Sequence, residues 1–541
     1  MSRRTILAAL LLTAVSAAQN LTPPGSLNKP ERLEWFRDLG FGLFIHWSVD
    51  SQTGVVISHS LAGADEAYTN RFFNDLPKTF NPRKFHPQDW AALSKLAGIR
   101  YVVFTAKHHS GFAMWDTKTT NFGVMNTPFR RDITRELLDA FRAQGIMPGL
   151  YHSPDDFWWL WKNKIDIQRN ISSVQPKANP GLMKLDQDQV RELMTKYGPI
   201  DILFFDGEPE GLRDLAWKLQ PNTIVTRGAI QTPELYVPGI PLEGAWEANF
   251  TMGTAWQYQP QNENYKTGGQ VIDILVETRA KGGNLLLNIG PKPDGELPIE
   301  QEERLREVAL WMQVNQECIY GVRPWVITNE QNIWFTRAKN EDTIYAIVKQ
   351  TPQRWTRGQW KDFVLKSVLA TDKTQVSVLG QNGRVLEYRP EVNPAPTFKQ
   401  ESDGLHVRAM FTHRLQDNSR WPNPVVLKIT GVKPSLTPPK VETSSAKFDR
   451  ATSTATLTGN LQDMGKTTSL EVGFEYRSIV GLDASDRSIP WQPGPSKTMS
   501  ATGPFTLSVP NLNADGIYEY RAWVKHPLLT IYGTDKRLPM R

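Results

Sequence analysis

The sequence predicts an α/β protein, with a (β/α) barrel over residues 19–325 followed by two β-rich domains. Three observations predict it. Short runs that are apolar on both faces recur from Gly42 to about Trp325, as buried parallel strands do. Amphipathic stretches lie between several of these runs, and each ends in a glycine where a helix C-cap would sit. Strand, helix, glycine, strand is the signature of βα units, and this many in one stretch of chain favours a barrel over an open sheet. Beyond Trp325 the pattern changes to period-two alternation with turn dipeptides, the mark of antiparallel sheets.

The elements follow in order. Residues 1–18, "MSRRTILAALLLTAVSAA", pair Arg3 and Arg4 with an apolar centre and a small-residue cleavage signal, which reads as a signal peptide cut near Ala18. Strands are expected at 41–47, 101–107, 146–153, 200–207, 223–228 and 284–290, and helices at 87–98, 133–145, 188–198 and 270–283. Residues 326–435 read as a β-sandwich domain. The Pro- and Ser-rich stretch 430–445 reads as a linker, and 436–541 form a further strand series resembling a fibronectin type III-like β module.

Composition narrows the function. The chain has 541 residues, so two to four domains are expected, and a formal charge of +6 with no basic run interleaved with aromatics excludes a nucleic-acid partner. After signal cleavage no membrane span is expected, because no other run reaches about twenty apolar residues. Export to the periplasm or the medium follows. Cys318 is the only cysteine, which rules out an internal disulfide and a cysteine-rich zinc site. Eighteen tryptophans invite stacking on sugar rings, although core packing accounts for most tryptophans in any protein; Trp491 and Tyr518 of the last module carry the same two readings. Oligomeric state leaves no mark in the sequence.

The chemistry concentrates where apolar runs stop. His46, Lys107, His108, His109, His152, Asp206 and Arg227 all follow predicted strands, which in a parallel barrel is the C-terminal face that bears active sites. Two histidines raise the question of a metal, but adjacent residues on a strand point to opposite faces, so no metal is expected and hydrogen bonds to hydroxyls are. Asp206 ends "IDILFFDG", where an unpaired carboxylate would be costly; it is either a cap for the next helix or a catalytic carboxylate. Glu234 in "TPEL" and Glu247 in "AWEAN" come from the next two strand-end loops, and either could face Asp206. Two carboxylates at a sugar-sized mouth fit glycoside hydrolysis, one attacking the anomeric carbon and the other protonating the leaving oxygen. Arg227 would keep a nearby nucleophile ionised.

"GLFIHWS", "FTAKHHSGFAMWDT", "DILFFDG", "TPE" with "AWE", and "KGGNLLLNIGPKPDGELP" together resemble the family 29 glycoside hydrolases, the α-L-fucosidases, over roughly residues 28–330. The resemblance implies retention of configuration through a covalent fucosyl-enzyme intermediate, a fucosylated glycan as substrate, and no metal or organic cofactor. It implies Asp206 as nucleophile and Glu234 as acid/base, with Glu247 the alternative acid/base or a residue that orients the site from behind. Fucose contacts are implied for His46, His108, His109, Tyr151, Arg227 and Trp256. Glu66 and Tyr68 stand in "EAY" where the family often reads Glu-Trp-Tyr, and Phe204 replaces a tryptophan common before the nucleophile. Gln257 replaces a glycine, and "VTRGA" stands for "NDRWG". These departures leave the reaction type intact and open two other readings: a carbohydrate-binding protein without turnover, and a glycosidase for another sugar such as an α-L-galactoside.

Overall fold

Seven short strands form one wholly parallel sheet in the computed structural model: β1 (Phe41–Ile45), β2 (Tyr101–Lys107), β3 (Met147–His152), β4 (Ile202–Phe205), β5 (Ile224–Val225), β6 (Glu247–Thr251) and β7 (Asn284–Ile289). The structure describes residues 25–540 except 56, 170, 262, 351–353, 415–422, 480–489 and 528. The expected signal peptide, residues 1–18, lies outside the described residues. The spatial order is β5-β4-β3-β2-β1-β7-β6. Nearly every strand residue is buried, as expected for a parallel sheet covered on both faces.

The sheet is curled. Residues 231–235 run beside the outer edge of β6, where Glu247 N–H donates to Gln231 O at 3.1 Å and Leu235 N–H to Asn249 O at 2.8 Å. Only six peptide steps separate Val225, on the opposite edge, from Gln231. They can span at most about 21 Å, whereas a flat sheet of this width, with strands about 4.8 Å apart, would need about 30 Å or more. The expected barrel is therefore present as a seven-stranded half-barrel, with the 231–235 segment in the place of an eighth strand. β5 is the reason for its shortness of closure: it stops after two residues because the chain turns at Gly228, whose φ is 101°.

An aromatic layer fills the interior. Phe44, Tyr101, Tyr151, Phe204 and Leu286, one from each of five strands, pack in one buried cluster. Gly42 matters here, since a Cβ on it would overlap the Tyr101 ring. The predicted helices are present at Pro87–Leu96, Ile133–Ala143, Pro180–Lys196 and Gly268–Ala280, the third starting earlier than expected because Pro180 opens it.

The first compact unit comprises residues up to Tyr236 together with 243–278 and 283–321; the second comprises 237–242, 279–282 and Val322 onward. The second holds two antiparallel cores. One lies between a five-stranded and a three-stranded sheet and includes Phe335, Ile344, Leu365, Leu405 and Leu427. The other includes Val472, Phe474, Phe505, Tyr520 and Val524, on strands between Lys440 and Arg537. Trp491 lies under guanidinium groups of Arg477 and Arg521, 4.4 and 4.2 Å from its ring, so its surface is already engaged by cations. No helix among the described residues is long and apolar enough to cross a membrane.

Candidate active site

Side chains at the C-terminal ends of β2, β3 and β5 converge on Asp206 at the end of β4. The residue follows β4 directly. Tyr151 OH, from β3, donates to its Oδ2 at 2.9 Å, and His109 Nε2, from the end of β2, lies 3.4 Å from the same oxygen. Its Oδ1 faces Arg227 at 3.4 Å and Arg169 at 3.7 Å. Burial alone would raise the Asp206 pKa; the hydrogen bond from His109 and the charges of Arg227 and Arg169 hold it well below the usual carboxylate range. A capping role is ruled out: the next helix, Arg213–Leu219, has Leu212 at its N-cap and no side-chain cap.

Glu234 meets Asp206 through a shared guanidinium. Arg227 donates to Glu234 Oε2 at 2.8 Å while facing Asp206. One arginine fork thus bridges the two carboxylates. The backbone around Glu234 is fixed on both sides: Asn249 N–H donates to Pro233 O at 2.8 Å, and Leu235 adopts φ 61°. A left-handed leucine is rare outside glycine-compatible turns and marks a local conformation that the surrounding ladder imposes.

Four imidazoles form the opposite wall. His108 and His109 ring centroids are 4.1 Å apart, His46 is 5.7 Å from His108, and His59 is 5.5 Å from His109. The expectation that His108 and His109 point to opposite faces does not hold, because β2 ends at Lys107 and strand alternation ends with it. Three of the rings are anchored: His46 Nδ1 to Asn288 Oδ1 at 2.6 Å, His108 Nδ1 to Ser58 Oγ at 2.8 Å, His109 Nδ1 to Ser153 Oγ at 2.5 Å. Burial pushes His46 down to about 3 and His59 to about 4, and lowers His108 and His109 as well. Neutral imidazoles both donate and accept, which suits the hydroxyls of a sugar.

Apolar surface completes the pocket. Tyr151 stacks on Phe204 at 5.4 Å, Arg227 covers Phe204 at 4.7 Å, and half-buried Trp256 lies 5.1 Å from His46. Two expected contacts are not brought in. Glu66 is exposed at the first turn of the helix Glu66–Asn74, and Tyr68 donates its hydroxyl to Ser60 at 2.9 Å rather than joining the histidines. The neighbouring segment supplies His59 instead.

Glu247 also moves out of the site. It is the first residue of β6, not a loop residue, and so lies at the N-terminal end of the sheet. Fully buried there, its Oε2 accepts from Tyr101 OH at 2.6 Å. An acid/base role does not fit that position, and neither does contact with the nucleophile. Burial raises its pKa from 4.5 to about 7. A carboxyl that keeps its proton longer in the folded state makes stability fall as pH rises from about 4.5 to about 7. Glu247→Gln is therefore expected to remove that slope and to be more stable than wild type above pH 7, by on the order of 1–3 kcal/mol, in urea titrations across pH. Activity should change by less than about threefold; a loss of a hundredfold would return Glu247 to the site.

Ligand atoms of His108, His109 and Asp206 lie within 4.8 Å of one another and could geometrically hold a cation. The charges oppose it, since two guanidiniums already face the Asp206 carboxylate. Sequence reasoning missed Arg169, Asp155, His59 and Asn288. Only Asn288, inside "NLLLNIG", carried a signal, as a polar residue in a buried run.

Comparison with known proteins shows the family. The family model described as Alpha-L-fucosidase matches residues 9–317. Plasma alpha-L-fucosidase of Rattus norvegicus is 30% identical over 408 residues, covering 67% of this chain and 86% of the relative. Tissue alpha-L-fucosidase of the same organism is 30% identical over 426 residues, covering 70% and 89%. Among solved structures, alpha-L-fucosidase isoenzyme 1 from Paenibacillus thiaminolyticus superposes with a TM-score of 0.59 at 26% identity, covering 74% of this chain and 99% of that one. The Thermotoga maritima alpha-fucosidase in complex with fucose gives 0.58 at 26% identity, covering 77% and 98%. The chain belongs to the α-L-fucosidase family of glycoside hydrolases.

Proposed function

We propose that the protein is an exported retaining exo-glycosidase that removes terminal α-L-fucose from oligosaccharides or glycoconjugates. The observation that carries this reading is the pairing of Asp206 and Glu234 on one guanidinium, at the mouth lined by four neutral imidazoles. A relative 26% identical that binds fucose supports the choice of sugar. In the first step an Asp206 oxygen attacks the anomeric carbon, the bond to the leaving oxygen breaks, and Glu234 delivers a proton to that oxygen. In the second, Glu234 takes a proton from water, the water oxygen bonds the anomeric carbon, and the electron pair of the ester bond returns to Asp206. Arg227 can follow charge from one carboxylate to the other without leaving its place.

Glu234→Ala tests the acid/base assignment through the leaving group. Hydrolysis of natural fucosides, whose leaving oxygen needs a proton, is expected to fall by about two to four orders of magnitude. An activated aryl fucoside should be far less affected in its first step, and azide should restore its turnover as the α-fucosyl azide. Equal losses on both substrates would reject the assignment.

The signal peptide and the domain boundaries belong to the same reading: residues 1–18 direct export, 19–325 form the catalytic domain, 326–435 a β-sandwich, and 436–541 a fibronectin type III-like module. N-terminal sequencing of the exported protein tests the first. Limited proteolysis that cuts near 325 and 435 tests the others.

A further inference from the structure

Arg169, on the loop that follows the helix Phe157–Lys162, is a second cation on the nucleophile that no resemblance predicts. Its Nε donates to Asp155 Oδ2 at 2.6 Å, and its Nη2 lies 3.7 Å from Asp206 Oδ1. Asp155 Oδ2 in turn lies 3.7 Å from His109 Nδ1. Asp206 Oδ1 thus sits between two arginines, each tied to a further carboxylate: Glu234 on one side, Asp155 on the other. Arg227 is shared with Glu234 and has a second task in acid/base chemistry. Arg169 forms its ion pairs with Asp206 and Asp155, and its charge is also felt by Tyr151, His109 and His59 around the nucleophile.

We infer that Arg169 is a positioning residue that sets the balance between the two chemical steps by stabilising Asp206 as a leaving group. The inference rests on Asp206 being the nucleophile. In the first step the Asp206 carboxylate loses its charge as it bonds the anomeric carbon, so a nearby cation that stabilises the free carboxylate gives no help. In the second step the ester bond breaks, the electron pair returns to the Asp206 oxygen, water adds to the anomeric carbon, and its proton goes to Glu234. Here the same cation faces developing negative charge, where a fixed charge lowers the barrier.

The test uses the full-length enzyme and an activated aryl α-L-fucoside, comparing wild type with Arg169→Gln and Arg169→Lys. In Arg169→Gln, kcat is expected to fall about tenfold while kcat/KM, which reports the first step, stays within about threefold. KM falls with kcat, a burst of aryl alcohol appears, and intact-mass spectra show the fucosyl-enzyme accumulating. Arg169→Lys, which keeps the charge, should restore most of kcat. Parallel losses in kcat and kcat/KM without a burst, or equal behaviour of Gln and Lys variants, would overturn the inference. Failure of wild type to form any adduct on Asp206 would instead count against the nucleophile assignment itself.

Discussion

Asp206→Ala is expected to lower turnover of an aryl α-L-fucoside by on the order of a thousandfold or more. The reasoning starts from what the side chain touches. Its four polar neighbours, Tyr151, His109, Arg227 and Arg169, all belong to the mouth, and none is a backbone N–H of a helix it could cap. Both arginines keep a carboxylate partner in the variant, Glu234 and Asp155 respectively, so folding should survive the change. Azide distinguishes a lost nucleophile from a disturbed pocket. It fits the space the carboxylate leaves, attacks from the same face, and yields the β-fucosyl azide with the configuration inverted. The opposite anomer from Glu234→Ala would name the two roles independently. Residual activity above a few per cent, or no azide product, would sink the nucleophile assignment.

What sequence reasoning reached depended on whether polarity interrupted an apolar run. Asp206, His46, His108 and His109 stood out because each follows a strand whose other residues are buried on both faces, leaving solvation only at the end. β6 failed the same criterion in reverse. Its Glu247 and Asn249 alternate with Ala248 and Phe250, yet all four are buried, so the strand looked like a polar loop. The error displaced Glu247 from the floor of the half-barrel to its mouth. Arg169 and His59 were illegible for another reason. They lie on segments with no periodicity, and only the folded course of those segments brings them to Asp206 and His109. The β-rich second unit was legible because antiparallel strands with one wet face alternate openly, as in Thr454–Asp463.

Lys107→Met is expected to destabilise the protein by about 3–5 kcal/mol, the range for removing one member of a buried ion network. Lys107 ends β2 directly before the histidine pair and is wholly buried. Burial would lower its pKa, but Asp186 at 2.7 Å and Asp156 at 3.2 Å keep the ammonium charged. Those carboxylates have other duties. Asp156 also caps the helix Phe157–Lys162 by accepting from Trp159 N–H at 2.8 Å, and the first N–H groups of that helix donate to His109 O and Ser110 O. The ammonium therefore couples the end of β2 to the helix that holds the histidine backbone in place. Removing it strands two buried carboxylates, and the protein must then take up protons to fold. Because a carboxyl with a raised folded pKa loses stability as pH rises, the deficit relative to wild type should be larger at pH 8 than at pH 5. Adding Asp186→Asn should recover part of the loss at pH 8 and little at pH 5, since that change removes one of the stranded charges. Urea denaturation at both pH values reads the result. A loss below about 1 kcal/mol, or one independent of pH, would mean that the network orients the site without holding the fold.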